Sequence, residues 1–474
     1  MPFKMRLMSP IVSVLLVSAA HGSPTGDAGA RAAASTVVKR ASATVSVAPA
    51  TTSPPVQLVE SRPVESGLGN PALPAAHDVW LEMIRAAKRS LDFEEFYLST
   101  WPHEPTEDLI QAIGEAARHG VKVRLLLDGQ MHRTYPRPAD SLGSIHGIET
   151  RVIDMGKIAG GVQHAKFFLV DGEEVFLGSQ NFDWRALKHI HELGVRVRDP
   201  RVAGVFQRVF EMDWTASGPV GPASDANRGS TAVTGGAAGA TASSAAPDTV
   251  RARLRARAGA PTPPLPIRLV QAPGDTVELW PSYNPRRFIP DSTLWDRDAV
   301  LRLIDSAEHE VVVQSLTYST QDRGTRDDAI DAALRRAAGR GVAVKLLISD
   351  WETNGDAMGY LQSLARVPNV EAKLGTVPEW SGGYVPFARV EHCKYAVVDS
   401  MEVWVGTSNW EPGYFHGSRN VAVTLRNRPL ALEARRVFET SWLAPGSAAV
   451  RPDEHYPPKE HGETPPPGKQ KYGG

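Results

Sequence analysis

The sequence predicts an α/β fold made twice over: two α/β/α sandwich domains packed as an intrachain pseudodimer around one shared site. Three observations predict it. Helix-period and strand-period segments alternate along the chain, the pattern of helices layered on a sheet. The order of segments then recurs, block against block. Each block also carries His-x-Lys-x4-Asp, with 228 residues from His164 to His392 and again 228 from Trp214 to Trp442. Two such blocks in one chain are the internal equivalent of a symmetric dimer.

Bulk properties agree and exclude several alternatives. The 474 residues are 42% hydrophobic and 22% charged, enough for two large globular domains. Lys+Arg 52 against Asp+Glu 53 gives a formal net charge of -1, which excludes a broad basic coat but leaves room for a local basic groove. The single cysteine, Cys393, excludes an internal disulfide and a zinc site of several cysteines.

In chain order, residues 1–22 read as a secretory signal peptide. Lys4 and Arg6 precede a mostly apolar stretch, Leu7–Ala20, and small residues follow. That stretch is shorter than the ~20 residues a membrane helix needs. The expected destination is the periplasm or the external medium. Residues 23–55, rich in Ala, Ser, Thr, Gly and Pro, read as a disordered linker. Block one spans 56–215. Residues 216–265 form a second linker, in which Arg251, Arg253, Arg255 and Arg257 read as solvated charge. Block two spans 266–445, and the Pro-, Gly- and Lys-rich residues 446–474 are expected to be a disordered tail.

Within the blocks, Gln57–Pro63 is matched to Ile267–Pro273 as the opening segment. Val79, Met83, Ile84 and Ala87 share one face of a predicted helix, and Leu109–Ala117 and Ala329–Ala338 behave alike. Val121–Asp128, Val342–Asp350, Phe167–Val170 and Tyr395–Val398 are apolar runs of strand length. On a strand, residues two apart face one side, so His164 projects with Lys166 and His392 with Lys394. Cys393 then faces the opposite layer as a packing residue. Gly-hydroxyl-x-Asn follows each motif, bringing Ser179 with Asn181 and Thr407 with Asn409.

Two imidazoles, two ammoniums, two hydroxyls and two amides at one interface suit an anionic phosphoryl group. Lys166 and Lys394 offset the charge of a phosphodiester. Ser179, Asn181, Thr407 and Asn409 supply further donors to its oxygens. One histidine, neutral, attacks phosphorus; the other, protonated, gives its proton to the leaving oxygen. The resulting phosphohistidine is resolved by water or an alcohol. The scheme calls for no metal and no other cofactor.

These residues resemble the phospholipase D superfamily, whose hallmark is the duplicated His-x-Lys-x4-Asp motif. The resemblance covers about residues 56–444. Finer stretches, including GGVQHAKF at Gly160–Phe167, NFDWRAL at Asn181–Leu187 and PFARVEHCKY at Pro386–Tyr395, are similar to the phospholipase D3/D4-like branch. That resemblance implies a 5′ exonuclease on single-stranded DNA or RNA. The alternative it carries is a phospholipase D that hydrolyses or transphosphatidylates membrane phospholipids, with transient contact at a membrane surface. Viral envelope proteins share the branch, so a catalytically silent binding protein is a second alternative. No obligatory protein partner is inferred.

The resemblance also implies that a Glu eleven residues after the Asn supports a catalytic histidine. Glu192 fits, whereas Asn420 holds the equivalent place in block two, so the support is not duplicated. On that basis His164 is read as the nucleophile and His392 as the general acid. Asp171 and Asp399 complete the two catalytic motifs and are expected to order them rather than exchange protons. Trp184, Trp410 and Tyr414 are candidates for stacking on a base, with core packing as the alternative. His189 and His191, two apart on a predicted helix, point apart and are not read as a metal pair.

Overall fold

The structure, a computed structural model, describes residues 54–220, 262–353, 357–459 and 461–472. The expected signal peptide, the first linker up to residue 53, and the arginine-bearing linker from 221 to 261 lie outside the described residues.

Block one forms an eight-stranded sheet. Its strands are β1 (Val56–Ser61), β2 (Ser90–Glu95), β3 (Lys122–Asp128), β4 (Ile148–Ile153), β5 (Phe167–Val170), β6 (Glu174–Gly178), β7 (Glu192–Arg198) and β8 (Gly218–Pro219). They lie in the order β1-β7-β6-β5-β2-β3-β4-β8. The β2–β3–β4 pairs are parallel and the others antiparallel. Alternation along β2 decides the layers. Leu91 and Phe93 face the helices α1 (Ala76–Ala86) and α2 (Thr106–Arg118), meeting Trp80, Met83, Leu109 and Ile113 in an outer core.

Block two forms a nine-stranded sheet in the same order, with one strand added at the edge. Its strands are β9 (Ile267–Ala272), β10 (Asp275–Asn284), β11 (Glu310–Ser315), β12 (Ala343–Ser349), β13 (Val370–Gly375), β14 (Tyr395–Val398), β15 (Glu402–Gly406), β16 (Asn420–Arg426) and β17 (Ser447–Ala449). The match expected between Gln57–Pro63 and Ile267–Pro273 fails. β1 pairs with β7, and the strand in that place in block two is β10, which pairs with β16 from Glu278 to Asn284. β9 is the added edge strand, paired only through Ile267–Ala272 with β10 among the described pairings. A shared Leu-Val pattern is what any buried strand offers, so it could not fix the register.

The inner faces of both sheets meet two long helices, α3 (Pro200–Ala216) and α4 (Arg428–Trp442). Asp199 caps α3 by accepting the Arg201 and Val202 N–H groups, and Asn427 caps α4 through the Leu430 N–H. Phe206 and Phe210 from α3 and Val437 and Phe438 from α4 share one hydrophobic core with Phe167, Leu177, Tyr395 and Val405 of the two sheets. The halves are thus joined by a common apolar layer.

The tail departs from the expected disorder. β17 pairs with β13, the Lys459 ammonium contacts Asp350 at 2.6 Å, and the Tyr472 hydroxyl donates to Glu104 at 2.8 Å. Its proline-rich composition forbids long regular elements, but isolated polar anchors hold it against the body. Among the described residues no helix is long and apolar enough to cross a membrane.

Candidate active site

The motif histidines and lysines stand just before the strands, not on them: β5 begins at Phe167 and β14 at Tyr395. Each lead-in is instead paired with the opposite half. The His164 N–H donates to the Arg419 carbonyl at 2.9 Å, and the Arg419 N–H donates to Val162 at 2.9 Å. Symmetrically, the His392 N–H donates to His191 at 2.9 Å and the His191 N–H to Val390 at 3.1 Å. Gly161 permits this approach, because a Cβ there would lie 2.4 Å from the Gly417 carbonyl carbon. The backbone pairing explains which side chains meet. Residue 192 follows 191 and residue 420 follows 419, so each reaches the histidine of the other half.

Glu192 therefore backs His392, not His164. Its Oε1 lies 2.5 Å from His392 Nδ1. Behind His164 stands Asn420, whose Oδ1 lies 3.0 Å from His164 Nδ1. The expectation that block two lacks a supporting residue is corrected: it has a neutral one. The Asn420 amide is oriented by its NH2 donating to the Tyr414 carbonyl at 2.9 Å and by Thr407 Oγ1 donating to Oδ1 at 2.9 Å. An acceptor facing Nδ1 requires the proton there, which leaves Nε2 of His164 with its lone pair.

Lys166 and Lys394 are buried beside these rings, each donating to the carbonyl of its own motif histidine, at 2.6 and 2.8 Å. Burial, then Lys166 and Lys394, pushes His164 well below the usual imidazole range. Burial lowers Lys394 to about 7 and holds Lys166 well below its usual range. Burial also drives the Glu192–His392 pair toward neutrality, raising the carboxyl and lowering the imidazole. What decides the chemistry is the difference between the two rings. A carboxylate within hydrogen-bond reach makes a proton on Nε2 cheaper for His392 than an amide does for His164.

The remaining expected residues divide. Asp171 and Asp399 stand at the far ends of β5 and β14, about 16 Å along the chain from Lys166 and Lys394 at strand rise. Asp171 accepts the backbone N–H groups of Lys88, Arg89 and Ser90, and Asp399 those of Glu308, His309 and Glu310. They tie the strand ends to the neighbouring turns and stand away from the paired histidines and lysines. Ser179 and Thr407 were expected to donate to substrate. The Ser179 hydroxyl donates to the Leu193 carbonyl and that of Thr407 to Asn420, and a hydroxyl has one hydrogen to give. Asn181 and Asn409 are buried in the loops after β6 and β15, each with a side-chain oxygen that has no partner among the described residues.

Of the aromatic candidates, Trp184 and Trp410 are core residues, 6% and 2% exposed, so they do not present a face to a base. Tyr414 is half-buried and meets the His164 ring edge-on at 4.8 Å; Phe96 of the other half does the same at 5.0 Å. His189 packs between Trp184 and Trp380, apart from His191, which is held by Glu60 at 2.9 Å and Glu391 at 2.6 Å. Glu391 and Cys393 stand close enough to His191 to suggest a metal cluster. With both ring nitrogens turned to carboxylates, however, His191 offers no lone pair to a metal.

Phe96 and Glu95 escaped the sequence reading. Glu95 follows Glu94, which pairs with Phe167, so it stands opposite Lys166 in the register. Burial pushes its carboxyl well above the ordinary range, while the matching residue opposite Lys394 is Ser315. In the sequence, Ser90–Thr100 lies against Glu310–Thr320 when the two blocks are matched strand for strand, which sets the acid at 95 against the hydroxyl residue at 315.

Two imidazoles and two ammoniums, delivered from opposite halves of a duplicated α/β sheet, define a phosphodiesterase of the phospholipase D type. The sequence family described as "Cardiolipin synthase, PLD-like domain" matches residues 80–214 and 300–442, more than half of the chain. The protein belongs to the phospholipase D superfamily, in its PLD3/PLD4-like branch. Phospholipase D Z of Dictyostelium discoideum is 27% identical over 413 residues, 83% of this chain and 90% of that protein. The 5'-3' exonuclease PLD3 of Rattus norvegicus is 29% identical over 423 residues, 82% of this chain and 79% of that protein. Among solved structures, phosphatidylserine synthase of Haemophilus influenzae Rd KW20 superposes with a TM-score of 0.54 over 85% of this chain and 88% of that one. At 13% identity it shares the fold.

Proposed function

We propose that the protein is an exported phosphodiesterase that degrades single-stranded nucleic acid from the 5′ end through a covalent phosphohistidine. The observation that carries the mechanism is the unequal backing of the two histidines, an amide behind His164 and a carboxylate behind His392. The substrate anion sits between Lys166 and Lys394, and its charge offsets theirs. Nε2 of His164 attacks phosphorus as His392 gives its Nε2 proton to the leaving oxygen. His392, now neutral, takes a proton from water; that water attacks phosphorus, and His164 leaves with its lone pair restored. His164 stays the nucleophile, but for a reason opposite to the one the sequence suggested: it lacks the carboxylate. Export rests on residues 1–22 and the substrate on the likeness to the PLD3 and PLD4 exonucleases.

The test offers the mature protein and His164→Ala two substrates in parallel, with chelator present. One is a 5′-hydroxyl single-stranded oligonucleotide and the other phosphatidylcholine vesicles with a trace of ethanol. Nucleotide release by the wild type alone is expected. No release between acidic and neutral pH would sink the substrate reading. Choline release with phosphatidylethanol would replace it by the lipid one, which the Dictyostelium phospholipase D relatives favour. Phosphate trapped on His392 would reverse the roles of the two histidines.

A further inference from the structure

A short ribbon, Gln321–Asp322 paired with Thr325–Arg326, stands beside the site from block two. Its tip is Arg323–Gly324, with φ of 47 and 78°, the two positive values that a tight hairpin turn requires. The ribbon is seated on the helix Pro412–His416. A Cβ at Gly413 would lie 2.1 Å from Asp322 Oδ2, so glycine is what lets the two approach. Seated there, the Arg323 guanidinium lies 5.5 Å from the centre of the Tyr414 ring, and that ring lies 4.8 Å from His164. The Arg323 charge is felt at His164. Arg323 nevertheless keeps 44% of its side chain exposed, with Nε 3.6 Å from Asp322. The corresponding stretch of block one, Trp101–Pro105, holds no Lys or Arg. The cleft is therefore polarised, with a strong cation beyond the nucleophile on one side.

The scissile phosphate already has Lys166 and Lys394. A third cation, set apart from His164 by the width of a tyrosine ring, has a use when the substrate carries a second anion beside the scissile phosphate. The geometry points to Arg323 as a second phosphate subsite, one that holds the neighbouring phosphate of a single-stranded polynucleotide; this rests on the nuclease reading above. A guanidinium presents the forked donors that phosphate oxygens accept, and the Tyr414 face steadies it.

The experiment compares a dinucleoside monophosphate with a trinucleoside diphosphate, using wild type, Arg323→Asn and Arg323→Lys. Asparagine is chosen because it tolerates positive φ, so the turn survives. Wild type should prefer the two-phosphate substrate, through KM. In Arg323→Asn that preference should fall about tenfold, as expected for one charge-assisted contact. On longer oligonucleotides the slope of log KM against log salt should fall by about 0.7, one phosphate's share. Arg323→Lys should recover part of both. Equal losses on the two substrates would overturn the subsite and make Arg323 a ligand of the scissile phosphate. No loss on either would overturn it while leaving the nuclease reading intact. A wild type that turns over neither nucleotide would remove both.

Discussion

Glu192 and Asn420 are one position seen twice, 228 residues apart, and the difference between a carboxylate and an amide gives two identical rings different work. The neutral amide fixes the His164 tautomer without favouring its cation. Replacing it tests this directly. Asn420→Asp should raise the His164 imidazole, so its neutral form appears only at higher pH. The acid limb of the kcat/KM profile should then move upward by about one unit, at unchanged folding. A limb that stays in place would mean that His164 does not have to be neutral. Glu192→Gln should lower kcat by roughly 10²-fold or more, since the acid loses the partner of its charged form. His164, Lys166, His392 and Lys394 were legible in the sequence because spacing alone carries them. Which residue backs which histidine was not, because that is set by backbone pairs between residues more than two hundred apart.

At the scale of elements, the repeated spacing of the motif joins two unlike tasks: chemistry just before a strand and anchorage at its end. Asp171 and Asp399 take positive φ, 56 and 52°, and each gathers three backbone N–H groups from the turn before β2 or β11. The backbone hydrogen bonds hold both carboxyls below their ordinary range against the opposing pull of burial. A depressed carboxylate adds stability above the unfolded value and loses it as pH falls through the folded one. Asp171→Ala should therefore cost about 1–2 kcal/mol at pH 7, with the gap closing toward pH 2, as read by denaturant unfolding. A gap unchanged at pH 2 would show that the carboxylate charge is not what holds the turn. The same scale shows what sequence periodicity misses. Helices with long apolar faces were legible, as were the central strands. The equivalence of β1 with β10 was not, since a shared apolar composition does not fix which strand takes which place in a sheet.

For the whole molecule, the question is what holds two halves in the one arrangement that crosses their side chains. The shared apolar layer supplies adhesion but little direction, since the hydrophobic effect is non-directional. Direction comes from two buried cations at the seam, in matching places 228 apart. Arg419 reaches back to Asp213 of block one, Nε to Oδ2 at 2.6 Å and Nη2 to Oδ1 at 2.8 Å. His191 lies between Glu60 of block one and Glu391 of block two, fully buried. Burial alone would lower its imidazole, but Glu391 and Glu60 outweigh burial and hold it up at about 10. A group raised in the folded state adds stability that is fully present below the unfolded value, roughly 6.5, and is lost as pH rises through the folded one. His191→Gln leaves two carboxylates facing each other across the seam. It should cost about 3–5 kcal/mol at pH 6, as breaking a buried pair does. The gap should narrow steadily as pH rises from 7 through 10, because the wild type then loses the same cation. Unfolding curves for the two proteins at pH 6, 8 and 10 measure this. A gap as wide at pH 10 as at pH 6 would show that His191 locks the seam by shape and hydrogen bonding, with its charge incidental.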